Sequence, residues 1–327
     1  MRAAILVTLL VALTTGVDAK THLRKPKPKQ GFQVRPETFT VAPAQDLEMC
    51  EYRRLPNREA MDVSGFKLRM PLGAHHFVIW RYGGAIQDDS RFPQGPVESV
   101  GCAGVSPDEI VPQVMIPIQT PNSRFRFPKG IALRLEPHQQ VWLNPHLKNF
   151  RTTPMEPDIR FNFYRAKKGT VKHYAQGLIV GNIPDINIPA NGDQTLTVEW
   201  TAPFDLTVIQ LATHQHRLGT YANIELVDAD GVTPRKIYEN TNWEHPHAYW
   251  PEEPIQLAQG RKMRITCTWH NTDDHPVLFG PETTDEMCFI LGFYYRDGDD
   301  TPPAFSSGCL PASQGLLCPF APAVATQ

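Results

Sequence analysis

Apolar residues along this chain come in short bursts, not in helical stripes. His76-Phe77-Val78-Ile79-Trp80, Ile131-Ala132-Leu133-Arg134-Leu135, Gly177-Leu178-Ile179-Val180-Gly181, Leu206-Thr207-Val208-Ile209-Gln210-Leu211 and Ile290-Leu291-Gly292-Phe293-Tyr294-Tyr295 each have strand length and carry β-branched or aromatic residues. Pro, Gly, Asn and Asp separate the bursts. No stretch sustains a three-to-four-residue apolar period, and 31 prolines would interrupt long helices almost everywhere. From about Thr38 onward the pattern predicts an all-β protein, with sandwiches of the jelly-roll kind as the natural architecture.

The flanks read differently. Arg2, the apolar run Ala3 to Leu13 and the small residues Val17-Asp18-Ala19 read as an export signal over residues 1–19, too short for a membrane span of about 20 apolar residues. Residues 20–37, with Lys25-Pro26-Lys27-Pro28-Lys29, read as a flexible basic leader. The polar stretch Arg165-Ala166-Lys167-Lys168-Gly169 suggests a boundary between two units, 38–170 and 171–298, uncertain by about ten residues. Residues 299–327 read as a tail pinned by a disulfide.

Composition narrows the function classes. A 327-residue chain with 41% apolar and 20% charged residues has the balance of two globular domains. A formal net charge of −2 gives no long-range attraction for nucleic acid or anionic lipid, and the mature chain is expected to have no membrane span. An exported chain meets an oxidising compartment, extracellular or, in a bacterium, periplasmic, where its six cysteines form disulfides by default. Cys50–Cys102, Cys267–Cys288 and Cys309–Cys318 are the simplest local pairs, although six cysteines allow fifteen arrangements and spacing does not choose among them.

Candidate chemistry lies in the twelve histidines. In His214-Gln215-His216, residues two apart on a strand share a face, so two imidazoles aim at one point while Gln215 points away. Taken alone, the pattern suits a metal clamp and a surface pair about equally. His75-His76 opens a strand; adjacent residues face opposite ways there, so one metal would need a strand end, a bulge or different ring nitrogens. By itself the pair reads as one buried and one exposed histidine. His146, in Asn144-Pro145-His146-Leu147, reads as a turn residue after an apolar strand. Met287 precedes a strongly apolar strand and by itself reads as core; with two imidazoles nearby, its thioether would favour Cu(I). His245-Pro246-His247 falls in a proline-broken loop and reads as exposed, and His22, His138, His173, His270 and His275 have no partner at ligand spacing.

Taken together, His75-His76-Phe77, Phe127-Pro128-Lys129-Gly130 leading to His146, His214-Gln215-His216 with Leu218-Gly219, Asp285-Glu286-Met287-Cys288 and Tyr294-Tyr295 resemble, in order and spacing, the copper type II ascorbate-dependent monooxygenases, the family of peptidylglycine α-hydroxylating monooxygenase and dopamine β-monooxygenase. The resemblance covers most of residues 38–296. It implies two tandem jelly-roll domains with a solvent-filled cleft between them, and two coppers per chain. His75, His76 and His146 would bind the electron-transfer copper; His214, His216 and Met287 would bind the copper that activates oxygen and form the catalytic set. It also implies the Cys50–Cys102 and Cys267–Cys288 pairs, a small-molecule substrate, O2, and ascorbate or a similar reductant.

The sequence departs from the peptide-amidating branch at the substrate. Ala212 stands where that branch carries an arginine for a peptide carboxylate, and Phe289-Ile290-Leu291 replaces its polar substrate contacts. A less polar small molecule or an aromatic amine is the expected substrate. The alternatives are a secreted copper-binding protein of the same fold without turnover, and a carbohydrate-binding or adhesion jelly roll with incidental histidines.

Overall fold

The computed structural model describes residues 23–82, 88–102, 105, 113–181, 185–227, 233–280 and 282–296. The signal sequence, the tail and the Cys309–Cys318 pair lie outside them. Twenty-one strands, three short 3-10 turns and no α-helix occur among the described residues, so the all-β expectation holds.

The first eleven strands are β1 (Gly31–Val34), β2 (Asp46–Arg54), β3 (Met61–Arg69), β4 (Ala74–Arg81), β5 (Pro96–Glu98), β6 (Gln113–Ile118), β7 (Arg124–Arg126), β8 (Ile131–Leu135), β9 (Gln140–Lys148), β10 (Arg160–Arg165) and β11 (His173–Tyr174). They form one sheet in the order β5-β2-β9-β4-β6 and another in the order β1-β10-β3-β8-β11, with β7 also on β3. Side chains of both sheets, among them Phe77, Ile79, Leu143, Val63, Leu68 and Phe161, share one core.

The remaining strands are β12 (Gln176–Gly181), β13 (Asn187–Ile188), β14 (Asp193–Thr201), β15 (Leu206–His214), β16 (Gly219–Val227), β17 (Pro234–Asn240), β18 (Ile255–Leu257), β19 (Lys262–His270), β20 (Val277–Leu278) and β21 (Phe289–Arg296). Their sheets run β12-β21-β15-β18 and β14-β19-β16-β17, with a small β13-β20 pair. Burial follows sequence pattern. Along β19, Met263, Ile265, Cys267 and Trp269 are buried and alternate with partly exposed Arg264, Thr266 and Thr268, the period of a strand with one face on the core. β15 is buried along its whole length, as its near-continuous apolar run requires.

Sheet membership changes at Ala175, between β11 and β12. The two halves are nevertheless packed together: Ile209 and Phe293 of the second half belong to the first core, and Phe293 stacks on Phe125. Gly177 permits the approach, since a Cβ there would lie 2.4 Å from the Val114 carbonyl oxygen. Among the described residues two disulfides are present, Cys50–Cys102 and Cys267–Cys288, as the simplest pairing anticipated.

Three local expectations are corrected. Part of the basic segment read as a flexible leader is ordered: Gly31–Val34 pairs with β10, and the Gln33 amide donates to Asn162 Oδ1 at 2.8 Å. His146 is not in a turn but inside β9, flanked on both sides by strands. Pro145 is tolerated there because the β2–β9 ladder lapses between Glu48↔His146 and Glu51↔Leu143, and the Asn144 side chain donates to the Met49 carbonyl in the gap, at 3.0 Å. Finally, His214 and His216 do not share a strand, because β15 ends at His214.

Candidate metal centre

The first imidazole set is built on two neighbouring mid-sheet strands. Gly73, with φ of +91°, completes a turn closed by Ala74 N–H to the Pro71 carbonyl, and delivers the chain into β4. A register shift between Ala74 and His76 follows. That bulge is what lets adjacent His75 and His76 approach one point. His76 pairs directly with His146 across β4 and β9. Ring centroids are 5.1 Å apart for His75–His76, 5.2 Å for His75–His146 and 4.8 Å for His76–His146, and one donor atom from each ring lies within 4.8 Å of the others.

Hydrogen bonds select the ring nitrogens. His146 Nε2 lies 2.6 Å from Asp46 Oδ1, and His76 Nε2 lies 3.4 Å from Glu48 Oε1. A carboxylate only accepts, so each Nε2 carries the proton and each Nδ1 keeps a lone pair. Both Nδ1 atoms are buried and have no hydrogen-bond partner. Orphaned, convergent imidazole lone pairs are costly without a ligand and suit a metal ion. Burial, and then its neighbours' charge, holds the His75 imidazole far below the usual range; burial likewise lowers His76, although Glu48 opposes it. Neutral imidazole is the form that binds metal.

The second set sits at the end of β15. His214 is its last residue, opposite Phe289 of β21, and two residues further along the same register His216 meets the segment Asp285-Glu286-Met287. His214 and His216 have ring centroids 5.1 Å apart. His214 Nδ1 donates to Gln119 Oε1 at 2.9 Å, and His216 Nδ1 donates to the Asp285 carbonyl at 3.0 Å, which leaves Nε2 of each for a ligand. The strand ends at His214 because Glu286 replaces the ladder. Its carboxylate accepts from the backbone N–H of His216 at 2.9 Å, Leu218 at 2.7 Å and Met287 at 3.3 Å, and from the Trp269 indole at 2.7 Å. Burial pushes the Glu286 carboxyl up to about 7 despite those four donors. Burial also lowers His216 to about 4 and His214 well below its ordinary value.

Met287 is half-buried and packs against Phe289 and Leu291, with Ile179 and Phe279 alongside, while Cys267–Cys288 ties the next residue to β19. Ala212 is buried on β15. The imidazoles of the two sets are close together: His76 and His214 rings are 6.1 Å apart, both buried, where the resemblance implies a solvent-filled cleft. Gln119, reaching from the first half to His214, and Asp46, which accepts from Thr283 Oγ1 of the second half at 3.1 Å, bridge them. Trp243 of the second half covers His75, ring to ring at 5.6 Å.

Sequence reading missed Asp46, Glu48, Gln119, Trp243 and Glu286. Asp46 and Glu48 are two carboxylates two apart at the start of β2, but only the β2–β9 register puts Glu48 opposite His146. Among the other described histidines, His173 stacks on Tyr295, His270 and His275 pair with exposed aspartates, and His138, His245 and His247 are exposed, while His22 lies outside the described residues.

Residues 189–314 match the family model of the copper type II ascorbate-dependent monooxygenase, C-terminal domain, which contains His214, His216 and Met287. No curated protein matches the chain. Among solved structures, the chain is similar to one from Sulfolobus Turreted Icosahedral Virus at 8% identity and a TM-score of 0.25, over 81% of this chain and 59% of that one. It is similar to the VP2 subviral particle of infectious bursal disease virus at 11% identity and a TM-score of 0.20, over 84% and 74%. The tandem CBM22 domains of Paenibacillus barcinonensis Xyn10C give 9% identity and a TM-score of 0.16, over 81% and 86%. Likenesses this weak carry no argument. No helix among the described residues is long and apolar enough to cross a membrane.

Proposed function

We infer, for a chain whose residues 189–314 belong to the copper type II ascorbate-dependent monooxygenase family, that it is an exported monooxygenase which hydroxylates a C–H bond of a small organic molecule with O2 and ascorbate or a similar one-electron donor. The two halves are read as tandem jelly-roll domains, each contributing one copper centre. His75, His76 and His146 would hold the first copper, and His214, His216 and Met287 the second. Bound copper supplies one-electron storage at each centre and activation of O2, so that one oxygen atom enters the C–H bond and the other leaves as water, with two electrons drawn from the donor.

The observation that carries this reading is the tautomer pattern. In His76, His146, His214 and His216 one ring nitrogen is tied to an oxygen and the other is left for a ligand. The residues around the second set do the rest. Gln119 and the Asp285 carbonyl fix the planes of His214 and His216, and Glu286 holds the backbone between His216 and Met287. Phe289 and Leu291, packed with Met287, make the adjoining surface apolar, which favours a substrate lacking a carboxylate.

Copper content of the refilled protein, beside His214→Ala, tests the centres, and oxygen uptake with ascorbate and an aromatic-amine panel tests the reaction. Two coppers falling to about one in the variant, with coupled uptake, is the expected result. Two coppers without turnover would replace the enzyme by a copper-binding protein, and no stoichiometric copper would overturn both.

A further inference from the structure

The basic segment Lys25-Pro26-Lys27-Pro28-Lys29 has no part in the copper reading, yet the fold gives it a fixed place. Asn162 of β10 donates to the Arg24 carbonyl at 2.9 Å, and Gln33 of β1 donates to the Leu23 carbonyl at 3.0 Å. Phe161 and Phe163 belong to the first core, so Asn162 between them points to the outer face of its sheet, where it is nevertheless fully buried. The segment is thus strapped over that face. Arg24, Lys25, Lys27 and Lys29 all remain exposed. Lys27 has φ of −63° and ψ of 146°, the extended polyproline conformation that its proline neighbours favour.

The sheet face beside the strap carries the same sign. Phe66 and Leu68 of β3 point into the first core, so Lys67 and Arg69 point out. Phe125 of β7 packs on Phe66 and Phe293, which turns Arg124 and Arg126 outward as well. Register sets Lys67 opposite Arg124, and Arg69 opposite Arg160. Like charges facing each other across strands are destabilising, and acids answer only some of them. Asp158 pairs with Arg160 and Arg35, and Asp62 with Arg134. Lys67, Arg69, Arg124, Arg126 and the cations of the strap have no ion pair among the described residues. Along both elements a cation recurs at every second residue, about 6–7 Å apart, which suits a repeating anion rather than a single one.

We propose that the outer face of β10, β3 and β7, together with the strap over residues 24–29, binds an extended acidic polysaccharide through its sulfate or carboxylate groups. Arginine guanidinium groups on a stiff sheet match either oxyanion in bidentate fashion, and the pinned strap brings its lysines with little ordering cost. The formal net charge of −2 does not oppose this, because at physiological salt a charge is felt over only about 8 Å. Outside a cell the abundant extended polyanions are acidic polysaccharides, so this choice of occupant rests on the export reading. A bilayer suits the face less well: the exposed large apolar residues Leu72, Phe150, Trp250 and Leu278 lie on none of these elements. Single-stranded nucleic acid needs aromatic platforms, and the Tyr164 ring is taken up by Lys67 Nζ, 5.8 Å from its centroid. His76 and His146 stand on the other sheet, across the core where Phe77 stacks on Phe161, so the copper centres stay free.

The test measures binding of the copper-loaded full chain to heparin and to polygalacturonate at about 150 mM salt and over a salt series. Two triple variants are compared with wild type: Lys25→Ser/Lys27→Ser/Lys29→Ser on the strap and Lys67→Ser/Arg124→Ser/Arg126→Ser on the sheet. Each is expected to bind about tenfold more weakly and with a flatter salt dependence, since fewer counterions are released. Copper content and unfolding midpoint should stay at wild-type values. Arg124→Lys/Arg126→Lys keeps the charge and should retain most of the affinity, while Arg235→Ser/Lys236→Ser, which removes cations from the second half, should change it by less than about twofold. Binding to heparin alone supports the proposal with sulfate as the ligand group, and binding to both polymers supports it with either anion. No saturable binding by wild type, unchanged affinity in either triple variant, or an equal loss in Arg235→Ser/Lys236→Ser overturns it. Tighter binding to single-stranded DNA of matched charge, or to phosphatidylglycerol vesicles, overturns the polysaccharide as occupant. None of these outcomes bears on the copper reading, which stands or falls by metal content and turnover.

Discussion

The two imidazole sets are anchored in opposite ways. His76 and His146 hang from paired mid-strand positions, and their outer nitrogens lean on carboxylates of a third strand. His214 and His216 sit at and beyond a strand end and lean on neutral oxygens, one of which, Gln119, comes from the other half of the molecule. A sheet position is stiff, since its neighbours on both sides fix the backbone. A strand end has to be fixed by something else, and Glu286 is that something. The first site is thus rigid by topology, with carboxylates accepting from its rings, whereas the second is rigid by a single buried carboxylate on its backbone, with uncharged oxygens accepting from its rings.

Removing Glu286 should break this contrast most severely. Glu286→Ala leaves three backbone N–H groups and the Trp269 indole buried without their acceptor. At about 1–3 kcal/mol for each of these four unsatisfied groups, a loss of at least about 4 kcal/mol is expected in denaturant unfolding. Glu286→Gln should recover much of it. A near-neutral Ala variant would mean that the turn holds itself.

Acid should act on the metal-free protein next. Burial lowers the folded values of His75, His76, His214 and His216 below their ordinary 6.5, to about 4 for His216. Between those limits the unfolded chain binds more protons at these four rings, so their contribution is complete above about pH 6.5 and falls as pH drops towards 4; Glu286, raised to about 7, pulls the other way between its ordinary 4.5 and 7, one group against four. Unfolding midpoints of the metal-free protein at a series of pH values should follow that slope. A flat profile between 6.5 and 4 would show that the rings are hydrated and the clusters open.

Gln119 sharpens the comparison between halves. Gln119→Leu removes the acceptor for His214 Nδ1 and frees that ring to turn. About tenfold weaker copper at the second centre, with the first unchanged, is expected in a metal titration. Equal weakening at both would make the sites a single thermodynamic unit.

How much of this was legible beforehand depends on whether the signal was local. The runs over β4, β8, β12, β15 and β21 announced themselves, because a burst of β-branched and aromatic residues between turn formers has few other fates. The bulge that joins His75 to His76 was foreseeable as a requirement, since adjacent strand residues otherwise diverge. His146 was misread because proline normally ends a central strand; the lapse in the β2–β9 ladder that accommodates Pro145 depends on Asn144 reaching the Met49 carbonyl. Glu48, Gln119 and Trp243 were illegible for one reason. Each acts through a partner far away in sequence, and only strand register and the packing of the two halves bring the partners together.

The smallest expected effect is the most discriminating for how the centres communicate. Thr283 lies four residues before Met287 and donates to Asp46 Oδ2, while Asp46 Oδ1 holds His146. The chain from the loop of one site to an imidazole of the other therefore runs through a single carboxylate. Thr283 is a partly exposed residue at the surface end of this path, and although a hydrogen bond to a carboxylate can reach about 1.5–3 kcal/mol, water replaces this exposed donor on Asp46 at little cost. If Asp46 is positioned by β2 alone, Thr283→Ala should change copper affinity at the first centre by less than about threefold and leave the second untouched. A larger change at the first centre, measured by the same metal titration, would mean that the second-half loop sets the orientation of His146. The stiffness assigned above to sheet position would then belong to the contact between halves.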